Sequence, residues 1–133
     1  MSMFNILDIA GSAMNAQMLR LNTTASNMAN ADAVASSENE AYRAKQPVFS
    51  TVLKGLDSAG VAVSGVTEST APVARRYEPG NPQADGEGYV YVSNVNEVEE
   101  MANMISASRS FQNSAEVFNT SKDLMMRTLQ LGK

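Results

Sequence analysis

Both ends of the chain carry mainly apolar residues at a heptad spacing, in which steps of three and four residues alternate. Near the amino terminus, these positions are Phe4, Leu7, Gly11, Met14, Met18, Leu21, Ala25 and Met28. Near the carboxyl terminus, they are Met101, Met104, Ser108, Phe111, Ala115, Phe118, Lys122, Met125 and Leu129. A stripe that repeats about every 3.5 residues is typical of a helix that packs lengthwise against other helices. The pattern therefore predicts assembly contacts along both stripes, which we call the N-terminal seam and the C-terminal seam.

The pattern of apolar and polar positions divides the chain into four segments. These are an amino-terminal helix (1–30), a polar connector (31–47), a small β-rich region (48–92) and a carboxyl-terminal helix (93–133). The β-rich region has short Val- and Tyr-containing runs between turns such as that at Gly55, which predicts four strands in a small sheet or partial barrel. Asn94 or Asn96 can cap the last helix. The predicted class is α+β, with two long terminal helices packed lengthwise as a coiled-coil-like core.

Composition suggests that this core is completed by neighbouring molecules. The chain has 133 residues, which is typical of one domain, but only 6% of them are aromatic and none is Trp. Asp8 and Arg20 are the charged residues within residues 3–30, whereas a helix surrounded by water normally carries more Lys and Glu. We therefore expect the terminal helices to be marginally stable alone and to gain order from neighbours.

The sequence lacks residue types that several kinds of catalytic and metal site require. Cys and His do not occur, which removes disulfides, thiol nucleophiles and Cys/His zinc sites. Glu97, Glu99 and Glu100 form an acidic cluster, but a position at the start of a helix explains it without a metal. The net charge of −4 argues against a nucleic-acid partner. We expect no enzyme activity, no cofactor, no metal site and no small-molecule substrate.

The amino terminus does not have the pattern of a secretory signal peptide. Its first ten residues lack a positively charged stretch and contain Asp8. No apolar run approaches the roughly 18 residues of a membrane-spanning helix. We expect no direct membrane insertion and no cleaved leader.

Four parts of the sequence carry a family resemblance. They are residues 8–17, residues 25–32 followed by 42–45, residues 77–90, and residues 94–111. The signature positions within them are Asn27, Asn30, Tyr42, Arg43, Pro79, Asn81, Pro82 and Asp85. In this order and at this chain length, they resemble the rod and hook protein family of the bacterial flagellar basal body. Eleven residues separate Asn30 from Tyr42, and this longer connector is most similar to the C-type proximal rod subunits.

The resemblance implies a structural subunit of the proximal rod, the shaft that transmits motor torque for cell motility. It implies assembly with copies of itself and with B-, F- and G-type rod subunits, and contacts with the ring–rod junction protein and the export gate. It also implies synthesis in the cytoplasm, export by the flagellar type III apparatus and a final place in the rod that spans the periplasm. In the family, the two terminal helices form the core of the shaft.

Three alternatives remain open at this stage. Phe49 and Leu53 fit a Phe-x-x-x-Leu pattern that resembles the docking motif of early type III substrates, but both could instead pack in the core of the sheet. Asn27 and Asn30 either end the first helix or bridge to the backbone of a neighbouring subunit. The chain itself could be a soluble coiled-coil adaptor or chaperone of a type III secretion system.

Overall fold

A computed structural model describes residues 3–53 and 59–132. The predicted turn at Gly55 and the extreme ends of the predicted terminal helices, residues 1–2 and 133, lie outside these ranges. The elements are α1 (Met3–Ala29), β1 (Val34–Ala35), β2 (Lys45–Leu53), β3 (Ala59–Glu68), β4 (Ala74–Tyr77), β5 (Tyr89–Val92) and α2 (Glu97–Leu131). Two terminal helices therefore flank a β-rich middle, and the predicted α+β class is confirmed.

The two helices pack side by side in opposite directions. Arg20 in the second half of α1 donates a hydrogen bond to Asn103 near the start of α2, with Nη2 and Oδ1 3.0 Å apart. Ala10 in the first half of α1 lines a groove together with Ser114 and Val117 of α2. At about 1.5 Å per residue, α1 is about 40 Å long and α2 about 52 Å long. Continuing this register, the last three or so turns of α2 extend past the start of α1. We call residues 122–131 the overhang.

Small and polar side chains fill the contact between the helices. The buried residues are Ala10, Ala16, Thr23, Thr24 and Asn27 in α1, and Glu100, Ala107 and Ser121 in α2. Small residues at a helix contact allow the two axes to approach closely. Most of the buried positions, including Ala10, Asn27 and Ala107, precede a predicted seam position by one residue, which is about 100° around a helix. The seams therefore flank the contact between the helices.

The β-rich middle forms two sheets rather than the predicted single sheet or partial barrel. One sheet has the antiparallel order β1-β5-β4, and the other pairs β2 with β3. Val92 of β5 pairs with Val34 of β1 on one side and with Ala74 of β4 on the other. Both edges of β5 are therefore occupied, and the β2–β3 pair packs against α1 instead.

The contact between β3 and α1 is close. The Ser12 hydroxyl oxygen accepts a hydrogen bond from the Val61 amide at 3.2 Å. A Cβ atom at Gly60 would lie 3.2 Å from the same oxygen, which is tighter than ordinary van der Waals contact. Glycine at this position therefore allows the strand to approach the helix.

The predicted polar connector is more ordered than a surface loop. It contains β1, and β2 begins at Lys45, three residues before the predicted β-rich region. Ala41 and Ala44 are buried. The physical reason is that backbone groups of Ala44 and Lys45 bond to the side chains of Asn94 and Asn27, so that they do not need water.

Within residues 3–53 and 59–132, no helix is long and apolar enough to cross a membrane. Over the same part of the chain, His, Cys, Asp and Glu form no group of three that could hold a metal ion. The exposed large apolar side chains lie mainly on the two helices and on β2 and β3. These exposed apolar side chains are candidate surfaces for protein contacts.

Candidate functional site

The two seams form partly exposed apolar stripes along the helix pair. In the N-terminal seam, Phe4, Met18 and Ala25 are exposed, and the other members are half-buried. In the C-terminal seam, Met101, Lys122 and Leu129 are exposed, and the remaining six members are half-buried. No seam residue is fully buried within one subunit. The stripes thus keep apolar area that a neighbouring molecule can cover, while their role in contacts between subunits remains a prediction.

The two ends of α2 carry opposite charge. Asn96 is the N-cap, since its Oδ1 accepts hydrogen bonds from the amides of Val98 and Glu99 at 3.1 and 3.3 Å. Three glutamates follow in the first turn, where the positive end of the helix dipole favours them. The overhang at the other end carries Lys122, Asp123 and Arg127, and so has an excess of one positive charge. Of the two predicted caps, Asn96 is confirmed and Asn94 is wrong.

Asn27 joins the end of α1 to the start of β2. Its side chain is 1% exposed. Its Nδ2 donates to the carbonyl oxygen of Lys45 at 2.8 Å, and its Oδ1 accepts from the Lys45 amide at 2.9 Å. The Tyr42 hydroxyl donates to the same Oδ1 at 3.1 Å. These bonds engage the Asn27 side chain within its own subunit. They take the place of the alternative considered from the sequence, a bridge from Asn27 to the backbone of a neighbouring subunit.

Two further signature residues close to Asn27, namely Asn30 and Arg43, also bond to backbone groups. Asn30 Nδ2 donates to the Ser26 carbonyl at 2.8 Å and so satisfies the end of α1, as its helix-ending interpretation requires. Arg43 Nη1 donates to the carbonyl of Ala71 at 3.1 Å. Asn27, Tyr42 and Arg43, which we call the junction, therefore tie the connector to the end of α1 and to the loop between β3 and β4.

Asn94 completes the junction, and sequence analysis assigned it only a capping role. Its Oδ1 accepts from the Ala44 amide at 2.7 Å, and its Nδ2 donates to the Ala71 carbonyl at 2.8 Å. The one available indication was its place in a stretch that resembles the rod family. The residues that Asn94 joins are 50 and 23 positions away, so local spacing could not reveal the bonds.

The remaining signature residues lie in the loop between β4 and β5. Asp85 Oδ1 accepts hydrogen bonds from the amides of Glu87 and Tyr89, both at 2.9 Å. Gly88 has a φ of +85°, a conformation in which a side chain is strained. Pro79 and Pro82 restrict the backbone of the same loop. The loop is therefore held in one conformation by local bonds.

Asn81 orders the first half of this loop. Its Nδ2 donates to Glu78 Oε2 at 3.0 Å, and its Oδ1 accepts from the Gln83 amide at 3.0 Å. Arg76 forms an ion pair with Glu78, with Nε and Oε1 2.6 Å apart. The Asn81 hydrogen bond, with a smaller contribution from Arg76, lowers the pKa of Glu78 below its ordinary value because both interactions favour the carboxylate.

The two residues of the predicted export motif lie in β2. Phe49 is at the edge of a pocket between the sheet and the helices, and Leu53 is 76% exposed. The alternative that Leu53 packs in the core of the sheet is therefore wrong, because the two-stranded sheet leaves it uncovered. A docking role for Phe49 and Leu53 remains a prediction.

Comparisons with known proteins match both ends of the chain and its full length. The family model described as "Flagella basal body rod protein" matches residues 7–35. The family model described as "Flagellar basal body rod FlgEFG protein C-terminal" matches residues 87–131. The chain is 53% identical to the flagellar basal-body rod protein FlgC of Salmonella typhimurium and 52% identical to that of Yersinia enterocolitica. Both alignments cover 100% of each chain.

Proposed function

The chain belongs to the family of flagellar basal-body rod proteins FlgC, and we propose that it forms part of the proximal rod, which transmits motor torque. It is a structural subunit of the flagellar basal-body rod. The observation that carries this function is 52–53% sequence identity, over the full length of both chains, to proteins of that name. An adaptor or chaperone of a type III secretion system, the alternative from sequence, has no support among these relatives.

The packing of the helix pair supports assembly along the seams. Small residues occupy the contact inside the subunit, and the Met, Leu and Phe residues of the seams stay partly exposed. Burying that apolar area against neighbours yields roughly 25 cal/mol per Å². We assign residues 1–30 and 93–133 to the core of the shaft, and residues 31–47 and 48–92 to its outer part. The contacts between subunits are heterologous, because a shaft grows along an axis.

The partners follow from the same role. The subunit contacts copies of itself, the B-, F- and G-type rod subunits and the ring–rod junction protein. It reaches the basal body through the export gate of the type III apparatus, unfolded and without cleavage. Phe49 and Leu53 dock there before the strand folds.

A replacement experiment tests the function and the seams together. The chain is expressed in a motile Salmonella strain that lacks its own C-type rod subunit. We expect it to restore swimming and to be present in purified basal bodies, and failure of the exported protein to enter basal bodies would contradict the proposed role. Leu129→Asp should abolish swimming with export intact, since Leu129 is 69% exposed and its loss does not disturb the subunit core.

Gln130→Asp is the matched control for the seam. It introduces the same charge one residue away at another exposed position of α2, outside the seam. We expect swimming close to that of the unmodified chain. Normal swimming with Leu129→Asp, or equal loss with Gln130→Asp, would show that the seam is not the contact surface.

The export motif has its own test. Leu53→Ala should lower the amount of subunit secreted by a strain that exports rod proteins, because the docking contact loses its apolar side chain. Val52→Ala removes a similar exposed side chain from the adjacent position and should leave secretion unchanged. Equal secretion of both variants would remove the docking role from Leu53.

A further inference from the structure

We propose that two copies of this chain pair in solution through the outer edge of β2, so that their two-stranded sheets join into one antiparallel sheet of four strands. The contact surface is residues 49–53, which we call the open edge, and its partner is the same edge of a second copy. The inference goes beyond the rod function. A pair related by a two-fold axis cannot be repeated along a shaft whose subunits all point the same way, so the pairing belongs to the folded subunit before assembly.

Alternate residues of β2 turn their backbone groups away from β3. In an antiparallel pair, adjacent residues of one strand direct their N–H and C=O groups to opposite sides. Ala44, just before β2, faces β3, since its carbonyl oxygen accepts a hydrogen bond from the Ser69 amide at 2.8 Å. Lys45 faces the other way and bonds to the Asn27 side chain. The odd-numbered residues of β2 therefore form its outer edge.

The other end of the strand pair has the same alternation. Thr51 is paired with Val61 of β3, and the Val61 amide donates outward to the Ser12 hydroxyl oxygen. Two opposite residues of an antiparallel pair either exchange hydrogen bonds or both face away, so Thr51 also faces outward. Within residues 3–53 and 59–132, the outward N–H and C=O groups of Phe49, Thr51 and Leu53 have no hydrogen-bond partner.

The sheet is protected against pairing at other points of its two edges. Asn27 occupies the outer edge of β2 at Lys45, and Pro47, the next outward residue, has no N–H group to donate. On the outer edge of β3, Ser12 occupies Val61, and a bulge interrupts the ladder with β2. Because β3 is protected and the open edge is not, association closes at two copies instead of continuing into a fibre.

The open edge is complementary to itself. In an antiparallel pair centred on Thr51, this residue lies opposite the Thr51 of the second copy, and Phe49 lies opposite Leu53. Each opposite pair exchanges two backbone hydrogen bonds. Thr–Thr pairs stabilise such a ladder, and the Phe49–Leu53 pairs bury apolar area. Residues 46–53 contain no charged side chain, which is the usual means of keeping two edges apart.

The pairing also covers apolar side chains that the single subunit leaves in water. Phe49, Val52 and Leu53 are all exposed. A two-stranded sheet is marginally stable alone, whereas four strands are an ordinary sheet size. A second copy therefore supplies both the missing strand partner and the missing cover for this part of the subunit.

A charge placed on the two-fold axis provides the first test. Sedimentation velocity of the purified full chain at increasing concentration should show an equilibrium between monomer and dimer. We expect Thr51→Lys to weaken the dimer at least about tenfold, because the two introduced ammonium groups lie opposite each other. Ser64→Lys adds the same charge at an exposed position of β3 and should leave the dimer unchanged. Circular dichroism checks that both variants are folded.

Two results of this experiment would overturn the proposal. One is a monomer at every concentration. The other is association that Thr51→Lys leaves unchanged or that Ser64→Lys weakens equally, since the contact would then lie outside the open edge.

Disulfide trapping provides the second test, because the natural chain contains no Cys. Opposite residues that exchange hydrogen bonds have Cα atoms about 5.5 Å apart, a distance that a disulfide spans. Thr51→Cys should therefore form a covalent dimer with itself under mild oxidation. Leu53→Cys is also at an exposed position, but its two copies would lie about 14 Å apart in this register and should crosslink more slowly.

Equal or faster crosslinking of Leu53→Cys would indicate random collision and would overturn the register. The rod function is tested separately by the replacement experiment. If the unmodified chain restores swimming while both tests of the open edge fail, the pairing is wrong and the rod function stands.

Discussion

The side chain of Asn27 forms two hydrogen bonds with the backbone of Lys45, donating to its carbonyl at 2.8 Å and accepting from its amide at 2.9 Å. An asparagine amide in this arrangement replaces the backbone of a neighbouring strand at the start of β2. The bonds connect residues 18 positions apart and fix the end of α1 against the sheet. Position 27 therefore requires both a donor and an acceptor in one short, planar side chain.

Replacing Asn27 should destabilise the subunit strongly. Asn27→Ala leaves the Lys45 amide and carbonyl without partners next to a buried side chain, and we expect a loss of about 2–4 kcal/mol in the free energy of unfolding. Asn27→Asp keeps the shape but places a carboxylate oxygen against the Lys45 carbonyl, so it should also destabilise. Urea unfolding followed by circular dichroism measures both changes.

Asn30→Ala is the matched control for Asn27. Asn30 is in the same signature, but its side chain donates one bond to the Ser26 carbonyl in an exposed setting. Water can replace that bond, and we expect a loss of less than about 1 kcal/mol. Similar unfolding midpoints for Asn27→Ala and Asn30→Ala would contradict the structural role of Asn27.

Gly88 should tolerate no side chain. Its φ of +85° is strained for other residues, and an added Cβ would lie 3.0 Å from Tyr77 Cε2 and 3.2 Å from Pro79 Cβ. We expect Gly88→Ala to lower the free energy of unfolding by about 1–3 kcal/mol. Gly86→Ala, two residues earlier, meets nothing within 4 Å and should be nearly neutral. If both variants unfold at the same urea concentration, the conformation of this loop differs from the one described.

The pKa of Glu78 should depend on Asn81. In the folded chain, the Asn81 hydrogen bond and Arg76 hold this pKa below the ordinary value of 4.5. The stabilisation from ionised Glu78 is therefore present above about pH 4.5 and is lost as the pH falls through the lower folded value. In Asn81→Ala, we expect the pKa of Glu78 to rise toward its ordinary value, as measured by an NMR titration of the side-chain carboxyl.

Gln83→Ala tests whether the effect is specific to Asn81. Gln83 bonds to Asn81 through its backbone amide, and this bond survives the substitution. The pKa of Glu78 should therefore remain low in Gln83→Ala. A normal Glu78 pKa in the unmodified chain would show that the Asn81 contact does not form in solution.

The elements that sequence predicted best are those set by local rules. The heptad spacing located both helices, and Asn96 with Glu99 three residues later marked the start of α2. The line of closest packing between the two helices lies one residue before most seam positions, because Ala107 allows close approach whereas Met104 and Phe111 suit wider contacts. The predicted role of the seams in contacts between subunits stays a prediction. Hydrophobicity alone does not distinguish a contact inside the subunit from one between subunits.

The parts that sequence could not predict depend on residues far apart in the chain. The choice of two sheets over one follows from β5 pairing with both β1 and β4, and β1 has only two residues, too few for a pattern. Asn94 looked like a helix cap because a cap needs only local geometry. Its bonds to Ala44 and Ala71 exist only once the strands have come together.

The overhang should be the least stable part of α2 in the free subunit. Residues 103–117 pack against α1, whereas residues 122–131 extend past the start of α1, so helical hydrogen bonds there lack tertiary support. We expect amide hydrogen exchange, measured by NMR on dilute protein, to be at least about tenfold faster in residues 122–131 than in residues 103–117. Gln130→Gly should speed exchange in the overhang and leave residues 103–117 unchanged, while Ala107→Gly should lower protection in both. Equal protection along all of α2 would mean that the overhang is stabilised within one molecule. The sequence-based expectation that the ends gain order from neighbours would then be wrong for α2.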